Sequence, residues 1–285
     1  MDRPDELRSR PRRVDDPQVA RRSELHVEAL TSVANPCLQR IHVPVLDVAV
    51  TAMSARDVVA RIHRAPSSAT LLLNHNLHSV YLFHKLPWFR QLYATSEVIV
   101  IDGWPVLRMA GRRAPVSPDH RIGSTDWISC LWNEDKPRPL RVFLLGGSKE
   151  VSAIAVDRWL QKRPKDEVAG NTGYLNGRDE GLVIEAIRAH RPDLVLVGMG
   201  MPMQESFISR HLTELPAAHY ATVGGAIDYI AAPASLSPRW LGRFGLEWVW
   251  RLLHNPGRLW ARYLIEPFKL ALILAANKFR KSPRQ

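Results

Sequence analysis

The sequence predicts an α/β fold, a doubly wound and mostly parallel sheet with a helical C-terminal appendage. Three observations support this prediction. From Ile41 onward, short apolar runs alternate with longer amphipathic stretches. Glycines or an aspartate follow several of the runs, as at the carboxyl ends of parallel strands that bind ligands. The last 50 residues abandon the alternation and become basic and rich in tryptophan.

Five apolar runs predict buried strands, because a parallel sheet covered on both faces needs continuous apolar segments. They are Leu71–Leu73, Val98–Ile101, Val142–Leu145, Leu194–Val197 and Tyr220–Val223. The amphipathic stretches predict helices near 54–64, 75–86, 103–110, 124–134, 149–163, 178–190 and 202–213. Strands that alternate with helices in this way are typical of βαβ units.

Composition divides the chain into three predicted parts. Residues 1–36 mix Arg, Asp, Pro and Ser without sustained apolar periodicity, which indicates a mostly disordered leader. Residues 37–235 carry the α/β pattern. Residues 236–285 hold ten Lys or Arg against two Glu, so they supply +8 of the formal net charge of +11.

Charge and cysteine content narrow the class of protein. The net charge of +11 points to a polyanionic partner, which is nucleic acid, an anionic membrane or a phosphate-bearing substrate. Cys37 and Cys130 lack C-x-x-C spacing and indicate neither a disulfide framework nor a zinc site. We expect no secretory signal and no membrane span, since no apolar run reaches about 18 residues.

Polar side chains at predicted strand ends are candidates for catalysis. Asp102 follows a strongly apolar strand and can act as a general base toward a hydroxyl or cap the next helix. Asn74 and Asn76 can bind sugar hydroxyls or cap a helix. His75 and His78 stand three apart on one predicted helical face, but the sequence nearby offers no acidic third ligand, so a metal site is disfavoured.

Two further segments are candidates for binding phosphate. The Arg121 guanidinium can bind a phosphate through two hydrogen bonds, while Ser124 or Thr125 caps the following helix. The alternative is that Arg121 is an ordinary surface arginine. The turn at Gly146 and Gly147 can offer backbone N–H groups to a diphosphate, or it is only a tight turn.

The segment after the fourth predicted strand leaves two functions open. Gly198 and Gly200 resemble the start of a G-x-G-x-x-G dinucleotide fingerprint, but Met203 replaces its third glycine. An NAD(P)-dependent oxidoreductase is therefore a minor alternative. Gln204 and Glu205, in the first turn of the next helix, can hydrogen-bond a sugar or nucleoside, or they only favour the helix dipole.

The appendage mixes basic residues with Trp and aliphatic side chains on a helix that Pro256 opens. This composition is typical of an interfacial helix on anionic lipid. The same side chains can bind RNA, or they can simply dock the helix on the sheet. A membrane- or RNA-binding module without catalytic activity is therefore a further alternative.

In their order and spacing these motifs resemble the WecG/TagA/CpsF glycosyltransferases, glycosyltransferase family 26, from about Val43 to Tyr263. The resembling pieces before the appendage are Asn76, Ile101-Asp102-Gly103, Arg121 with Gly123, Val142–Gly147, Gly173-Tyr174, Val197–Gly200, Pro202–Glu205 and Val223–Asp228. Those within it are Gly245–Trp248, Arg251, Pro256, Arg258, Trp260, Arg262 and Tyr263. Each piece is weak alone, but the series is specific.

The resemblance implies a Rossmann-like fold and inverting, metal-independent transfer from a UDP-sugar to a polyprenyl-diphosphate-linked sugar, without a cofactor. It implies that Asp102 is the catalytic base, that Asn76 and Arg121 are its catalytic partners, and that Gln204 lies in the pocket. The other substrate-binding residues that we expect are Asn74, Gly146, Gly147, Gly200, Glu205, Gly224, Gly225, Asp228, Arg251 and Arg258.

The resemblance also predicts where the protein works and with which partners. We expect a cytoplasmic enzyme, peripheral on the anionic inner face of the plasma membrane through residues 236–285, without a nucleic-acid partner. A homo-oligomer is also suggested. Asn74 stands where a threonine is common, Met203 where a lysine is common, and Leu236 where an arginine is expected. These departures leave the donor open between a neutral hexose and an N-acetylhexosamine-type sugar.

Overall fold

The computed structural model describes residues 40–112, 114–134, 138–176, 179–232, 249, 252–253 and 256–281. The predicted leader, residues 1–36, lies outside the described residues. So does the predicted start of the appendage, residues 236–248. The predicted boundaries of the three parts therefore stay predictions.

A six-stranded parallel sheet forms the centre of the fold. Its strands, in chain order, are β3 (Ala69–His75), β4 (Val98–Ile101), β5 (Arg141–Gly146), β6 (Glu167–Asn171), β7 (Leu194–Gly198) and β8 (Ala218–Thr222). In space they lie in the order β4-β3-β8-β7-β5-β6, and all neighbours pair in parallel. The parallel sheet predicted from the apolar runs is confirmed.

An antiparallel hairpin precedes the sheet and packs beside its β4 edge. Its strands are β1 (Arg40–Val43) and β2 (Val48–Thr51). The Thr51 hydroxyl accepts the backbone N–H of Ile99 in β4 at 3.1 Å. The apolar runs predicted neither this hairpin nor β6, whose residues are only half-buried.

Helices connect the strands. They are α1 (Ala55–Ile62), α2 (Leu77–Lys85), α3 (Pro87–Thr95), α4 (Trp104–Ala110), α5 (Ser124–Trp132), α6 (Lys149–Lys162), α7 (Asp179–His190), α8 (Met203–His211) and α9 (Ala226–Ala231). At the C-terminus, α10 (Pro256–Trp260) continues through a π-helical turn, Ala261–Ile265, into α11 (Glu266–Lys281). Helices α3 and α9 were not predicted.

The helices cover both faces of the sheet, as a doubly wound fold requires. On one face, Leu71 and Leu73 of β3 pack in a core with Val80 of α2 and Phe207 of α8. On the other face, Leu72 packs in a second core, which contains residues of α1, α5, α6 and α9. Successive residues of a strand point to opposite faces, so one apolar run supplies both cores.

The carboxyl ends of the six strands meet at one edge of the sheet, because all the strands are parallel. This is the edge where ligands of open α/β sheets bind. The predicted site residues that follow β3, β4, β5, β7 and β8 are thereby brought to the same side of the molecule.

Candidate active site

Asp102 lies directly after β4 with a partly exposed carboxylate. Its backbone N–H donates to the carbonyl of His75 at 2.9 Å. Asn76 Nδ2 donates to Asp102 Oδ2 at 3.3 Å. The N-cap of α4 is Gly103, with φ of 138°, so the alternative that Asp102 caps this helix is wrong.

Asn76 serves both of the roles that the sequence left open. It is the N-cap of α2, and its Oδ1 accepts the backbone N–H of Ser79 at 3.0 Å. The Ser79 hydroxyl in turn accepts the backbone N–H of Asn76 at 2.9 Å. Because the amide oxygen is committed to the helix, the amide NH₂ group is directed to Asp102. The cap therefore sets the hydrogen bond to the carboxylate.

Arg121 lies beside the end of β4, where it forms a parallel bridge with Ile101. Its guanidinium carbon is 5.7 Å from the centre of the Trp104 ring, and Nη2 is 3.9 Å from Asp126 Oδ2. The side chain is mostly buried. This arrangement directs a cation to the edge of the sheet and contradicts the alternative of an ordinary surface arginine.

The start of α5 lies next to Asp102. A Cβ on Gly123 would be 3.5 Å from Asp102 Oδ1. Gly123 is the N-cap of α5, and its backbone N–H donates to Asp126 Oδ2 at 2.8 Å. The prediction that Ser124 or Thr125 caps this helix is therefore wrong, since both residues lie inside it.

Asn74 is buried between two strands. Its Nδ2 donates to the Thr222 carbonyl of β8 at 3.1 Å, and its backbone carbonyl accepts the Tyr93 hydroxyl at 2.8 Å. Asn74 Oδ1 has no hydrogen-bond partner among the described residues. The predicted contact of Asn74 with substrate stays a prediction.

The two histidines near this edge belong to different environments. His75 ends β3 and is fully buried, stacked on Tyr93 with the ring centres 4.6 Å apart. Burial lowers the pKa of His75 to about 3, so the ring is neutral. His78 is in α2 and contacts the Glu266 carboxylate of α11. The prediction of one shared helical face is therefore wrong, because β3 extends to His75.

No group of three His, Cys, Asp or Glu side chains converges as a metal site within the described residues. The sequence had disfavoured a metal at the histidines because no acidic partner stood nearby. An acidic partner of His78 does exist in Glu266, but its carboxylate contacts that single histidine. Metal independence stays a prediction.

The turn after β5 is shaped by close backbone approach. A Cβ on Gly146 would lie 2.6 Å from the Gly198 carbonyl oxygen, so only glycine fits. Gly147 has φ of 67°, and its carbonyl accepts the N–H of Gly173 at 2.9 Å. Ser148 caps α6 by accepting the N–H of the residue three further on, at 3.2 Å. The tight turn is confirmed, and binding of a phosphate there stays a prediction.

Gln204 and Glu205 lie at the start of α8 and are both completely buried. Gln204 Oε1 accepts the backbone N–H of Gly224 at 2.9 Å, and Nε2 donates to Glu205 Oε1 at 2.8 Å. The pair joins α8 to the turn after β8. The alternative, that these two side chains only interact favourably with the dipole of α8, therefore does not account for their hydrogen bonds.

The second carboxylate oxygen of Glu205, Oε2, has no hydrogen-bond partner among the described residues. Burial raises the pKa of Glu205 to about 7. The hydrogen bond from Gln204 and the positive charge of Arg262 oppose this rise. Arg262 belongs to the π-helical turn before α11, so the start of the C-terminal helix lies near the start of α8 at this point.

Open space lies above the glycines after β7 and β8. Gly200 and Gly224 have φ of 77° and 55°, and a Cβ on either would meet nothing within 4 Å. Asp228 is exposed on α9. Its Oδ1 would lie 3.8 Å from a Cβ on Gly147, and its Oδ2 3.7 Å from a Cβ on Gly225. A ligand at this edge therefore meets the Asp228 carboxylate beside the turns at Gly147 and Gly225.

Two predicted residues lie outside the described part of the chain, and one exposed aromatic residue was named only as part of the family resemblance, not as a site residue. Arg251 and the side chain of Arg258 are not among the described atoms. Tyr174 follows the turn at Gly173 and is 77% exposed at the rim of the site. The Gly-Tyr pair after a strand end was the sequence signal for it.

The C-terminal helix carries an exposed apolar row of Trp260, Leu264, Phe268 and Leu272. Four-residue spacing places these side chains along one face. On the other side Leu270 is buried in the core against the sheet. Among the described residues, no helix is long and apolar enough to cross a membrane.

Comparison with known proteins agrees with this geometry. The profile of the Glycosyl transferase WecG/TagA/CpsF family matches residues 43–284. An N-acetylglucosaminyldiphosphoundecaprenol N-acetyl-beta-D-mannosaminyltransferase of Bacillus spizizenii is 31% identical over 198 residues, which cover 69% of this chain and 76% of the relative. Proteins of the same name are 32% identical in Bacillus subtilis (66% of this chain, 73% of the relative) and 28% identical in Staphylococcus aureus MW2 (68% and 76%). The chain therefore belongs to the glycosyl transferase WecG/TagA/CpsF family.

Proposed function

We propose that this glycosyltransferase moves a hexose or an N-acetylhexosamine-type sugar from a UDP-sugar to a sugar on a polyprenyl diphosphate, with inversion. The observation that carries the proposal is the Asp102 carboxylate, held by Asn76 at the carboxyl edge of the sheet. The names of the relatives, which describe transfer to an N-acetylglucosaminyl diphosphoundecaprenol, support the acceptor class.

In this mechanism Asp102 accepts the proton of the acceptor hydroxyl as its oxygen attacks the anomeric carbon of the donor. The bond from that carbon to the diphosphate breaks, and UDP leaves with the electron pair. A single displacement of this kind inverts the anomeric centre and needs one carboxylate as general base. No covalent intermediate on the protein is required.

The charge of the departing diphosphate has to be neutralised, and the sequence contains no D-x-D motif that would hold a metal for this purpose. Arg121 and the open backbone at Gly200 and Gly224 are suited to this role. We propose that neither a metal nor another cofactor takes part, so activity should survive a chelator.

The carboxylate of Asp228 changes the role that we propose for the turn at Gly147. A carboxylate repels phosphate but accepts hydrogen bonds from N–H and O–H groups. We therefore place the uracil or ribose near Asp228, with the exposed ring of Tyr174 available for stacking, and the diphosphate nearer Arg121.

We also propose that the C-terminal helix lies on the anionic inner face of the plasma membrane, where a lipid-linked acceptor resides. The exposed row from Trp260 to Leu272 supports this location, together with the excess of +8 in residues 236–285. The alternative of an NAD(P)-dependent oxidoreductase is disfavoured by the family to which the chain belongs.

The test uses the full-length protein, a panel of UDP-sugars and a synthetic lipid-diphosphate acceptor, with release of UDP and the product linkage as readouts. Asp102→Asn should lower kcat by about 10²- to 10⁴-fold. Binding of UDP, measured by calorimetry, should be unchanged. Asp157→Asn on the exposed surface of α6 is the control and should retain full activity. Undiminished turnover in Asp102→Asn would remove Asp102 as the base, and binding of NAD(P) in place of UDP would contradict the function.

A further inference from the structure

A mostly buried contact between a histidine and a carboxylate joins the C-terminal helix to α2, whose N-cap contacts the proposed base. Glu266, the first residue of α11, contacts Nδ1 of His78 in α2, and the side chains are only 19% and 13% exposed. The N-cap of α2 is Asn76, which donates to Asp102. The short helix α2 therefore connects the contact between His78 and Glu266 to the Asp102 carboxylate.

The C-terminal helix has two faces with different partners. Toward the sheet, Leu270 is buried and Leu274 packs against the same core, while α11 lies along α2. Away from it, Phe268 and Leu272 are 75% and 71% exposed. Glu266 lies four residues before Leu270, so both side chains are on the face of α11 that packs against α2. The contact with His78 and the apolar contact of Leu270 therefore hold the same face of α11 in place.

Burial of apolar area is non-directional, so the apolar contacts of Leu270 and Leu274 specify how far α11 slides along α2 less strictly than a polar pair does. A slip by one turn moves every side chain by about 5.4 Å. A mostly buried carboxylate is different, since it is unfavourable unless its partner stands in place. The pair of His78 and Glu266 is therefore suited to select one register of α11 on α2.

A second contact near the same point agrees with this register. Arg262 lies one turn before Glu266, and its positive charge acts to lower the pKa of the buried Glu205. Glu205 is bonded to Gln204, which holds the turn at Gly224. The start of the C-terminal helix thus approaches both α2 and α8, two of the helices that begin at the site.

We propose that His78 and Glu266 are positioning residues that fix the register of α11 on α2, so that the exposed apolar row and the Asp102 carboxylate keep one spacing. The inference rests on the proposed function, because this spacing brings a membrane-held acceptor to the base. Removal of the pair should therefore weaken use of the lipid-linked acceptor and leave donor binding intact.

The test compares His78→Ala with a matched control in the full-length protein. His211 and Glu180 form a similarly buried pair at 2.8 Å between α8 and α7, with side chains 17% and 15% exposed, although Glu180 also contacts Arg210 and His211 also contacts Glu214. The assay uses phosphatidylglycerol vesicles that carry the lipid-diphosphate acceptor. His78→Ala should raise the KM for the acceptor about tenfold, while kcat and the Kd for UDP stay within twofold. His211→Ala should change none of these three values.

Two further variants separate positioning from a general loss of stability. His78→Asn retains an N–H donor near the position of Nδ1 and should recover most of the acceptor KM. Glu266→Ala should add little to His78→Ala, because the first substitution has already removed the pair. An equal acceptor KM in His78→Ala and His211→Ala, or fully additive effects of His78→Ala and Glu266→Ala, would overturn the proposal.

Hydrogen exchange provides a readout that does not depend on activity. Amides of residues 266–281 should exchange at least tenfold faster in His78→Ala than in His211→Ala, and equal exchange overturns the proposal. If the wild-type protein transfers no sugar, the proposed function fails. Hydrogen exchange then decides by itself whether the pair holds the helix.

Discussion

At the residue scale, the orientation of the Asp102 carboxylate depends on a single amide. Asn76 commits its oxygen to the N–H of Ser79, which leaves its NH₂ group for Asp102. A flipped amide would place an NH₂ group against a backbone N–H and an oxygen against a carboxylate. The helix cap therefore also acts as an orienting group for the base.

The substitution Asn76→Ser separates these two roles. Serine caps helices as well as asparagine does, but it lacks the amide NH₂ group. We expect thermal stability close to that of the wild type and a kcat at least tenfold lower. Asn76→Ala, which also loses the cap, should cost about 1 kcal/mol of stability in addition. Full activity of Asn76→Ser would show that the hydrogen bond to Asp102 is dispensable.

Glu205 should make the stability of the protein depend on pH. Burial raises its pKa to about 7 in the folded protein, so between about pH 4.5 and 7 the folded state holds a proton that the unfolded chain has lost. The stabilisation is therefore complete below the unfolded pKa and is lost as the pH rises through this window. The slope reaches at most about 1.4 kcal/mol per pH unit.

Urea unfolding at pH 5 and pH 8 measures this effect. Glu205→Gln should remove the contribution of Glu205 to the pH dependence of the free energy of unfolding. The variant should therefore gain stability relative to the wild type as the pH rises. Glu185→Gln, at an exposed carboxylate of α7, is the control and should keep the wild-type slope. An identical slope in the wild type and Glu205→Gln would show that Glu205 is ionised in the folded protein at both pH values.

At the scale of single elements, the ends of β5 and β7 leave no room for a side chain at Gly146. A Cβ on Gly146 would lie 2.6 Å from the Gly198 carbonyl oxygen and 2.7 Å from Cδ1 of Ile227. The close approach lets α9 pack over the strand ends. This close approach is by itself a sufficient reason for glycine at position 146, without any contact to a ligand.

Gly146→Ala should therefore destabilise the protein by about 1–3 kcal/mol, as overpacking of a core does. Gly181→Ala is the matched control, because a Cβ there meets nothing within 4 Å. Gly181 lies in α7, where alanine is preferred, so this variant should gain about 0.5–1 kcal/mol. Thermal denaturation of both variants decides the prediction, and a Gly146→Ala protein as stable as the wild type would contradict it.

The elements that the apolar runs predicted well are the ones that are buried on both sides. Strands such as β4 and β7 consist of consecutive buried residues, so they stand in the sequence as continuous apolar runs between turn residues. By contrast, β6 is half-exposed, and α3 follows α2 after Leu86, with φ of −115° and ψ of 110°. The proline at position 87 was the sequence signal for this new helix start.

At the scale of the whole molecule, the exposed apolar row and the excess of basic residues belong to the same end of the chain. The combined substitution of Phe268→Glu and Leu272→Glu should weaken binding to phosphatidylglycerol vesicles at least tenfold, because it removes apolar area and adds repulsion. Cosedimentation with the vesicles measures this loss.

Leu182→Glu provides the control, since Leu182 is 70% exposed on α7 and lies outside the C-terminal helix. This variant should bind vesicles as the wild type does. The folded core should be unaffected in both proteins, which circular dichroism checks. Equal vesicle binding by the wild type and the row variant would contradict the membrane contact that we propose for the C-terminal helix.

Local patterns in the sequence were sufficient to predict the class of fold and the polar residues at the strand ends. Consecutive apolar residues required a sheet covered on both faces, and a polar or glycine residue after each run placed Asp102, Asn76 and Gly200 at its carboxyl edge. These are local properties, because periodicity and turn chemistry involve residues only a few positions apart.

Which of these residues contact one another depends on how the whole chain packs. Asn76 and Asp102 are 26 residues apart, Gln204 and Gly224 are 20 apart, and His78 and Glu266 are 188 apart. Their contacts depend on the strand order β4-β3-β8-β7-β5-β6 and on the docking of α11 on α2. Such an order results from packing of the whole chain at once, so no local pattern encodes the pairing of these side chains.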